Sequence, residues 1–251
     1  MDIVLLGSGN VATHLGGALV RAGHRIRQVY SRTAAHAQTL ADALGARPTT
    51  DLTTIDVQAD VYIISVKDDA LAAVAAQLPP TLQGIVVHTA GSVDMAVLDE
   101  HAADYGVLYP LQTFSKARAV DFATVPIAVE ASDEAASVRL EALAGSLSRR
   151  VFRCDSKQRI SLHVAAVFAC NFANHFYGIA ADILNRYDLD FDLIRPLVLE
   201  TAQKVMEHQP KDVQTGPAVR NDLRTMEKHL RLLEADPALA QLYRLISERI
   251  G

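Results

Sequence analysis

The chain has only two cysteines, Cys154 and Cys170, in 251 residues. They stand in no CxxC or metal-ligand spacing, so neither a disulfide framework nor a cysteine-built metal centre is expected. HExxH, GxSxG and Walker A patterns and clustered metal ligands are all missing, which leaves out zinc proteases, serine hydrolases and P-loop NTPases. There is no excess of basic charge either. The net charge is −5, and nothing marks a nucleic acid or an anionic membrane as partner. No apolar run approaches a membrane span, and Asp2 with an early glycine turn argues against a signal peptide. A cytoplasmic protein is expected. Repeats and low-complexity tracts are absent. Half of the residues are hydrophobic, enough for a sizeable core, and the length suits two domains.

What is present begins at the first dozen residues, MDIVLLGSGNVA. Ile3 to Leu6 read as a fully buried strand. Gly7-Ser8-Gly9-Asn10-Val11-Ala12 follows, and Thr13 to Arg21 read as helix. This is G-x-G-x-x-G/A between a strand and a helix, the setting in which the motif binds a dinucleotide. Gly7 allows the tight turn, Gly9 lets a pyrophosphate approach the backbone, and Ala12 lets helix and strand pack closely. The helix N-terminus offers free N–H groups and partial positive charge. The alternative is a glycine-rich turn without ligand.

Arg25 to Tyr30 reads as the second strand, and Ser31-Arg32-Thr33 follows it. An NAD site places an acid here for the ribose hydroxyls. This chain offers two hydroxyls and a guanidinium, which suit a 2′-phosphate. NADP(H) is therefore the expected cofactor, against a plain solvated arginine.

Strands and helices go on alternating: helix at 34–44, strand at 60–66, helix at 70–77, strands at 84–89, 106–109 and 126–130, helix at 132–147 and strand at 150–154. That order argues an α/β fold with a doubly wound, mostly parallel sheet, whose ligands sit beyond the carboxyl ends of the strands. Val66-Lys67 and Ala90-Gly91 fall in such loops and are assigned to the cofactor with loops 7–12 and 31–33. After Cys154 strands cease. Lys157 to about Tyr187 reads as one apolar-periodic helix, roughly 45 Å long, too long for a small domain alone, so a homodimer is expected. Further helices run from Asp192 to about His208, from Thr215-Gly216-Pro217 to about Glu234, and from Asp236-Pro237 onward. The expected domains are 1–154, a dinucleotide-binding sheet domain, and 155–251, an all-α substrate and dimerisation domain.

Three stretches carry candidate chemistry. His163, Val167, Asn171, Asn174 and His175 recur at helical spacing among apolar residues. This is either a polar strip facing the nicotinamide, with His163 as proton donor and Asn171 orienting a carbonyl, or a set of satisfied buried groups. Tyr109-Pro110-Leu111-Gln112-Thr113-Phe114-Ser115 leaves a strand at the ligand edge, where Gln112 and Thr113 offer neutral hydrogen bonds or form an ordinary loop. Gly216-Pro217 at a helix start, beside Arg220, offers an anion site for a substrate carboxylate, or a capped helix with a surface ion pair. His88 and Glu130 read as structural.

Taken together, GSGNVATHL, YPLQTFS, HVAAVFACNFANHFY and TGPAVRND resemble a bacterial family of NADP oxidoreductases that pairs a Rossmann-like domain with a C-terminal helical domain of unknown function. That group includes deazaflavin-dependent NADP reductases, and is more distantly similar to pyrroline-5-carboxylate reductase, ketopantoate reductase and the β-hydroxyacid dehydrogenases. The resemblance implies an NADP-binding domain, a helical dimerisation domain, a small-molecule substrate in the cleft, and roles there for Gln112, Thr113, His163, Asn171 and Arg220. It leaves room for a flavin or deazaflavin as hydride partner. One departure stands out. The dehydrogenases place a catalytic Lys four residues before an Asn on the long helix, and if that Asn is Asn171 the Lys position holds Val167. An enzyme transferring hydride between NADP(H) and a small carbonyl or imine substrate that also bears a carboxylate, or a non-catalytic NADP(H) sensor, is then expected.

Overall fold

The computed structural model describes residues 1–251. It divides into two compact units, Met1–His175 and Phe176–Gly251. The change of composition after Cys154 comes earlier than this division.

Eight strands form one sheet in the first unit: β1 (Asp2–Leu6), β2 (Arg25–Tyr30), β3 (Arg47–Thr49), β4 (Val61–Ile64), β5 (Ile85–His88), β6 (Tyr105–Pro110), β7 (Ile127–Ala131) and β8 (Val151–Arg153), in the order 3-2-1-4-5-6-7-8. Neighbours pair parallel except β6 and β7. This is the expected doubly wound, mostly parallel Rossmann-like sheet, with α1 (Asn10–Arg21), α2 (Ala34–Leu44), α3 (Asp68–Ala75) and α4 (Glu134–Gly145) in the connections and α5 (Ser156–Ala166) after β8. Alternate strand residues enter opposite faces. Ile3 and Leu5 join Leu15, Leu19, Ile63 and Leu140 on one face, whereas Val4 and Leu6 join Tyr62, Ile64, Leu71 and Val86 on the other. The edge strand β3 escapes the sequence reading because Arg-Pro-Thr carries no apolar alternation. Its shortness and its proline protect the edge from further pairing.

The second unit is helical, containing most of α6 (Ala173–Asn185) with α7 (Arg195–Glu207), α8 (Leu223–Leu232) and α9 (Pro237–Ile250). The long helix is continuous from Ser156 to Asn185, 30 residues, but Val167–Phe172 is π-helical. That slip alters side-chain phase, so the 3.6-residue spacing that placed His163 and Asn171 on one face does not hold across it. By length and composition, with hydropathy 1.3, this helix is long and apolar enough to cross a membrane. This corrects the expectation that no such run exists. His163, Asn171, Asn174 and His175 break the run residue by residue, yet leave its average high.

A buried ionic cluster fastens α5 to the sheet. Asp155 starts the helix with a capping box, accepting from Gln158 N at 2.8 Å while its own N–H donates to Gln158 Oε1 at 3.0 Å. One turn on, Arg159 is 1% exposed and donates to the Glu130 carboxylate, the Val93 carbonyl and, at 3.1 Å, Ser156 Oγ. Glu130 also accepts from Ser156 N at 3.0 Å. His88 is fully buried at the end of β5. Its Nδ1 accepts from Ala90 N at 3.2 Å, and its Nε2 has no partner. Burial, helped by the Arg159 charge, lowers its pKa from 6.5 to about 4. The folded protein therefore resists a proton that the unfolded chain accepts. Stability intact above pH 6.5 is lost as the pH falls from about 6.5 to about 4, by about 3 kcal/mol in all. In His88→Asn, whose Oδ1 can still accept from Ala90, urea midpoints at pH 7 and pH 4 are expected to lie closer together than in the wild type. An unchanged gap would refute this account.

Candidate functional site

A cleft of about 650 Å³ opens at the carboxyl ends of the central strands. Its floor is the turn after β1. Gly7 has φ +134° and backs onto the Ser65 main chain, where a Cβ would lie 2.7 Å from the Ser65 carbonyl carbon. A side chain at Gly7 is thus excluded by both conformation and space. At Gly9 the direction a Cβ would take is empty. Gly9 is also the N-cap of α1, which has no side-chain cap and no acid in its first turn. By contrast, α4 and α5 are capped by Asp133 and Asp155. The first N–H groups of α1 are therefore left for an anion.

The turn after β2 sits beside this floor. Ser8 Oγ donates to Ser31 Oγ at 2.9 Å, Thr33 is the N-cap of α2 without bonding through its side chain, and no acid occupies the first turn of α2. Arg32 and His36 are exposed and border the cleft. The polar N-terminus of α2 and the Arg32 guanidinium form a second anion-compatible corner. Of the residues assigned to a cofactor from sequence, Gly7, Ser8, Gly9, Asn10, Val11, Ser31, Arg32, Thr33, Val66, Lys67, Ala90 and Gly91 all line the cleft. Ala12 does not. It is fully buried in the core between α1 and the sheet, where its part is packing.

Opposite the floor, β6 and α5 meet. His163 Nδ1 lies 3.1 Å from Tyr109 Oη, and both residues line the cleft. Gly91 leaves room for the pair, because a Cβ there would fall 2.6 Å from His163 Nδ1 and 2.9 Å from Tyr109 Cζ. Burial raises the Tyr109 pKa, against the pull of the Arg159 charge, so at neutral pH the phenol keeps its proton. The arrangement places a proton-bearing phenol in the same cleft as the glycine turn.

Other expectations separate. Gln112 lines the cleft, but its Oε1 accepts from Thr113 N at 2.7 Å and Thr113 Oγ1 at 3.2 Å, and Thr113 itself is not part of the lining. Asn171 is exposed, lies in the π-helical turn and does not border the cleft. Arg220 belongs to the second unit. The helix expected at Thr215 begins instead at Leu223, where Asp222 caps it by accepting from Thr225 N at 3.1 Å. Hydrogen bonds from Thr225, with the Arg220 and Lys228 charges, hold the Asp222 carboxyl below its ordinary range. A carboxylate already occupies that helix start, so the free N–H groups imagined beside Arg220 for a substrate anion are not there. Arg220 is exposed in the turn before it. Tyr109, His36, Ser65 and Thr89 border the cleft without having been singled out. Tyr109 had a legible signal, a polar aromatic at the carboxyl end of a parallel strand.

The family of NADP oxidoreductases described as coenzyme F420-dependent matches residues 2–91, and the domain of unknown function DUF2520 matches residues 125–250. A Bacteroides fragilis protein of known structure, provisionally described as an NADP oxidoreductase, is 49% identical over 99% of this chain and 97% of its own, with a TM-score of 0.91. An imine reductase from Myxococcus stipitatus, solved with NADP+, shares 16% identity over 100% and 93% of the two chains at a TM-score of 0.74. A pyrroline-5-carboxylate reductase from Coxiella burnetii shares 15% over 99% and 98% at 0.61. The latter two are likenesses of fold. No curated protein matches the chain.

Proposed function

Because this chain belongs to the family that joins an NADP oxidoreductase domain to the DUF2520 domain, we propose that it transfers hydride between NADP(H) and a small carbonyl or imine compound. The observation that carries this reading is the Tyr109–His163 pair held at 3.1 Å in the same cleft as the glycine turn. The residues fit the cofactor. The open side of Gly9 and the uncapped start of α1 suit a pyrophosphate, and Ser31, Arg32 and Thr33 at the uncapped start of α2 suit a 2′-phosphate. Val66, Lys67, Ala90 and Gly91 would border the rest of the dinucleotide. Bound NADPH supplies the hydride. The Tyr109–His163 pair supplies the proton that the substrate oxygen or nitrogen takes up, and Gln112 stands at the same wall to orient it. In this reading the protein is a cytoplasmic homodimer, with Phe168 and Phe172, now exposed, covered by the second copy.

Calorimetry with NADPH and NADH tests it. The wild type is expected to prefer NADPH, and Arg32→Ala to lose at least about tenfold for NADPH and little for NADH, the loss of one phosphate–guanidinium contact. Light scattering on the same samples reads the oligomer, and a monomer removes that part of the reading. A wild type that binds neither nucleotide removes all of it. If Asn171 stands for the asparagine of the dehydrogenases that the sequence resembles, Val167 holds the place of their lysine, and a second reading, an NADP(H) sensor without turnover, follows.

A further inference from the structure

The cleft carries a single carboxylate. Of the residues that line it, only Asp68, the first residue of α3, is acidic. The same cleft is read above as the seat of a dinucleotide with a pyrophosphate and a 2′-phosphate, and an acid facing such groups raises the cost of binding them. Arg32 and Lys67, the permanent cations of the lining, are assigned to that nucleotide. Asp68 itself makes no salt bridge with any side chain.

Its place relative to the Tyr109–His163 pair is fixed by a short run of contacts. Ser92 Oγ donates to Asp68 Oδ2. Ser92 follows Gly91, where a Cβ would lie 2.6 Å from His163 Nδ1 and 2.9 Å from Tyr109 Cζ. The bond therefore ties the start of α3 to the turn against which the pair packs. Ser92 occupies one lone pair of the carboxylate, which can accept more. Burial is the chief cause of the raised Tyr109 pKa, and the Asp68 charge adds to it. A negative charge that helps to keep a proton on the phenol also favours any other positive charge brought to that wall.

We infer that Asp68 determines the charge of the substrate: the cleft selects a protonated nitrogen, as in an iminium ion or an amine, over a carboxylate. The inference rests on the hydride-transfer reading above and narrows its carbonyl or imine range to the nitrogen compound. A protonated nitrogen also leaves its carbon poorer in electrons and readier to accept hydride, so binding and reaction favour the same charge.

Three probes of similar size separate the charges: pyrrolidine, a cation at neutral pH, cyclopentanone, which is neutral, and cyclopentanecarboxylate, an anion. Each is titrated calorimetrically into the full-length wild type, Asp68→Asn and Asp68→Glu, with and without NADP+, and NADPH and NADH are titrated into the same proteins. Thermal melts confirm that each variant is folded. Asp68→Asn keeps an oxygen for Ser92, so it changes charge more than structure. The wild type is expected to bind pyrrolidine best. Asp68→Asn should weaken pyrrolidine about fivefold, the scale of an exposed ion pair, leave cyclopentanone within about twofold and tighten the carboxylate. Asp68→Glu should keep the order of the wild type. A wild type without preference for the cation overturns the inference, and so does an Asp68→Asn variant that shifts all three probes alike or none. A loss of NADPH and NADH alike in Asp68→Asn also overturns it, by placing the carboxylate on the nucleotide. A wild type that binds neither nucleotide sinks the NADP(H) reading, whereas the order of the three probes, read without nucleotide, still decides the charge that the cleft selects.

Discussion

Tyr109→Phe and His163→Ala each lower the turnover of NADPH with an imine or 2-oxo acid by about 100- to 10,000-fold, the usual share of a positioned proton donor, while the Kd for NADPH stays within about twofold. The reason is the geometry at the cleft wall. The phenol and imidazole share one hydrogen bond of 3.1 Å, so removing either partner leaves the other without its proton path but leaves the dinucleotide turn intact. The loss should appear in kcat and kcat/KM together, the mark of an interaction made in the transition state. NADPH oxidation followed at 340 nm across a panel of cyclic imines and 2-oxo acids provides the readout. Turnover that survives both substitutions would exclude the pair as donor. A wild type that binds NADPH and reduces nothing in the panel would favour the sensor reading.

Arg159→Ala destabilises the first unit by about 3–5 kcal/mol, the cost of leaving one member of a buried ion pair alone. Arg159 is 1% exposed and has Glu130, Val93 and Ser156 as partners. Its loss strands the Glu130 carboxylate. The double variant Arg159→Met/Glu130→Gln removes both charges while keeping volume, and should recover most of the loss. Urea midpoints of the three proteins measure this. If the single and double variants are equally unstable, packing rather than charge is the cause. Arg159→Ala has a second consequence. His163 follows Arg159 by one helical turn on α5, so a loosened α5 should also weaken the bond to Tyr109 and lower turnover. Tyr109→Phe, by contrast, costs activity without comparable instability.

Several elements were legible in the residues themselves. β2 and α2 lie where periodicity placed them, Arg25–Tyr30 and Ala34–Leu44, with Gly45 closing α2 at φ +66°. The buried run before Gly7 is β1, and Asp236-Pro237 starts α9. Misplacements came where two local signals compete. Thr215-Gly216-Pro217 resembles a helix start, but Asn221 at φ +51° breaks the chain direction and Asp222 makes the cap instead. The π-helical turn at Val167–Phe172 has no compositional mark that sets it apart from α-helix.

By itself the sequence determined the alternation of strand and helix, the glycine turn and the basic turn after β2. Each depends on residues within a few positions of one another, where backbone sterics, side-chain periodicity and capping act. Only the tertiary structure decided which groups distant in the chain meet. Tyr109 and His163 lie 54 residues apart, Lys116 and Ser8 108, and Arg159 and Glu130 29. No local preference encodes such pairs. They form because burial of the two sheet faces brings β6, β7 and α5 together, and polar groups carried into that interior must then find partners there.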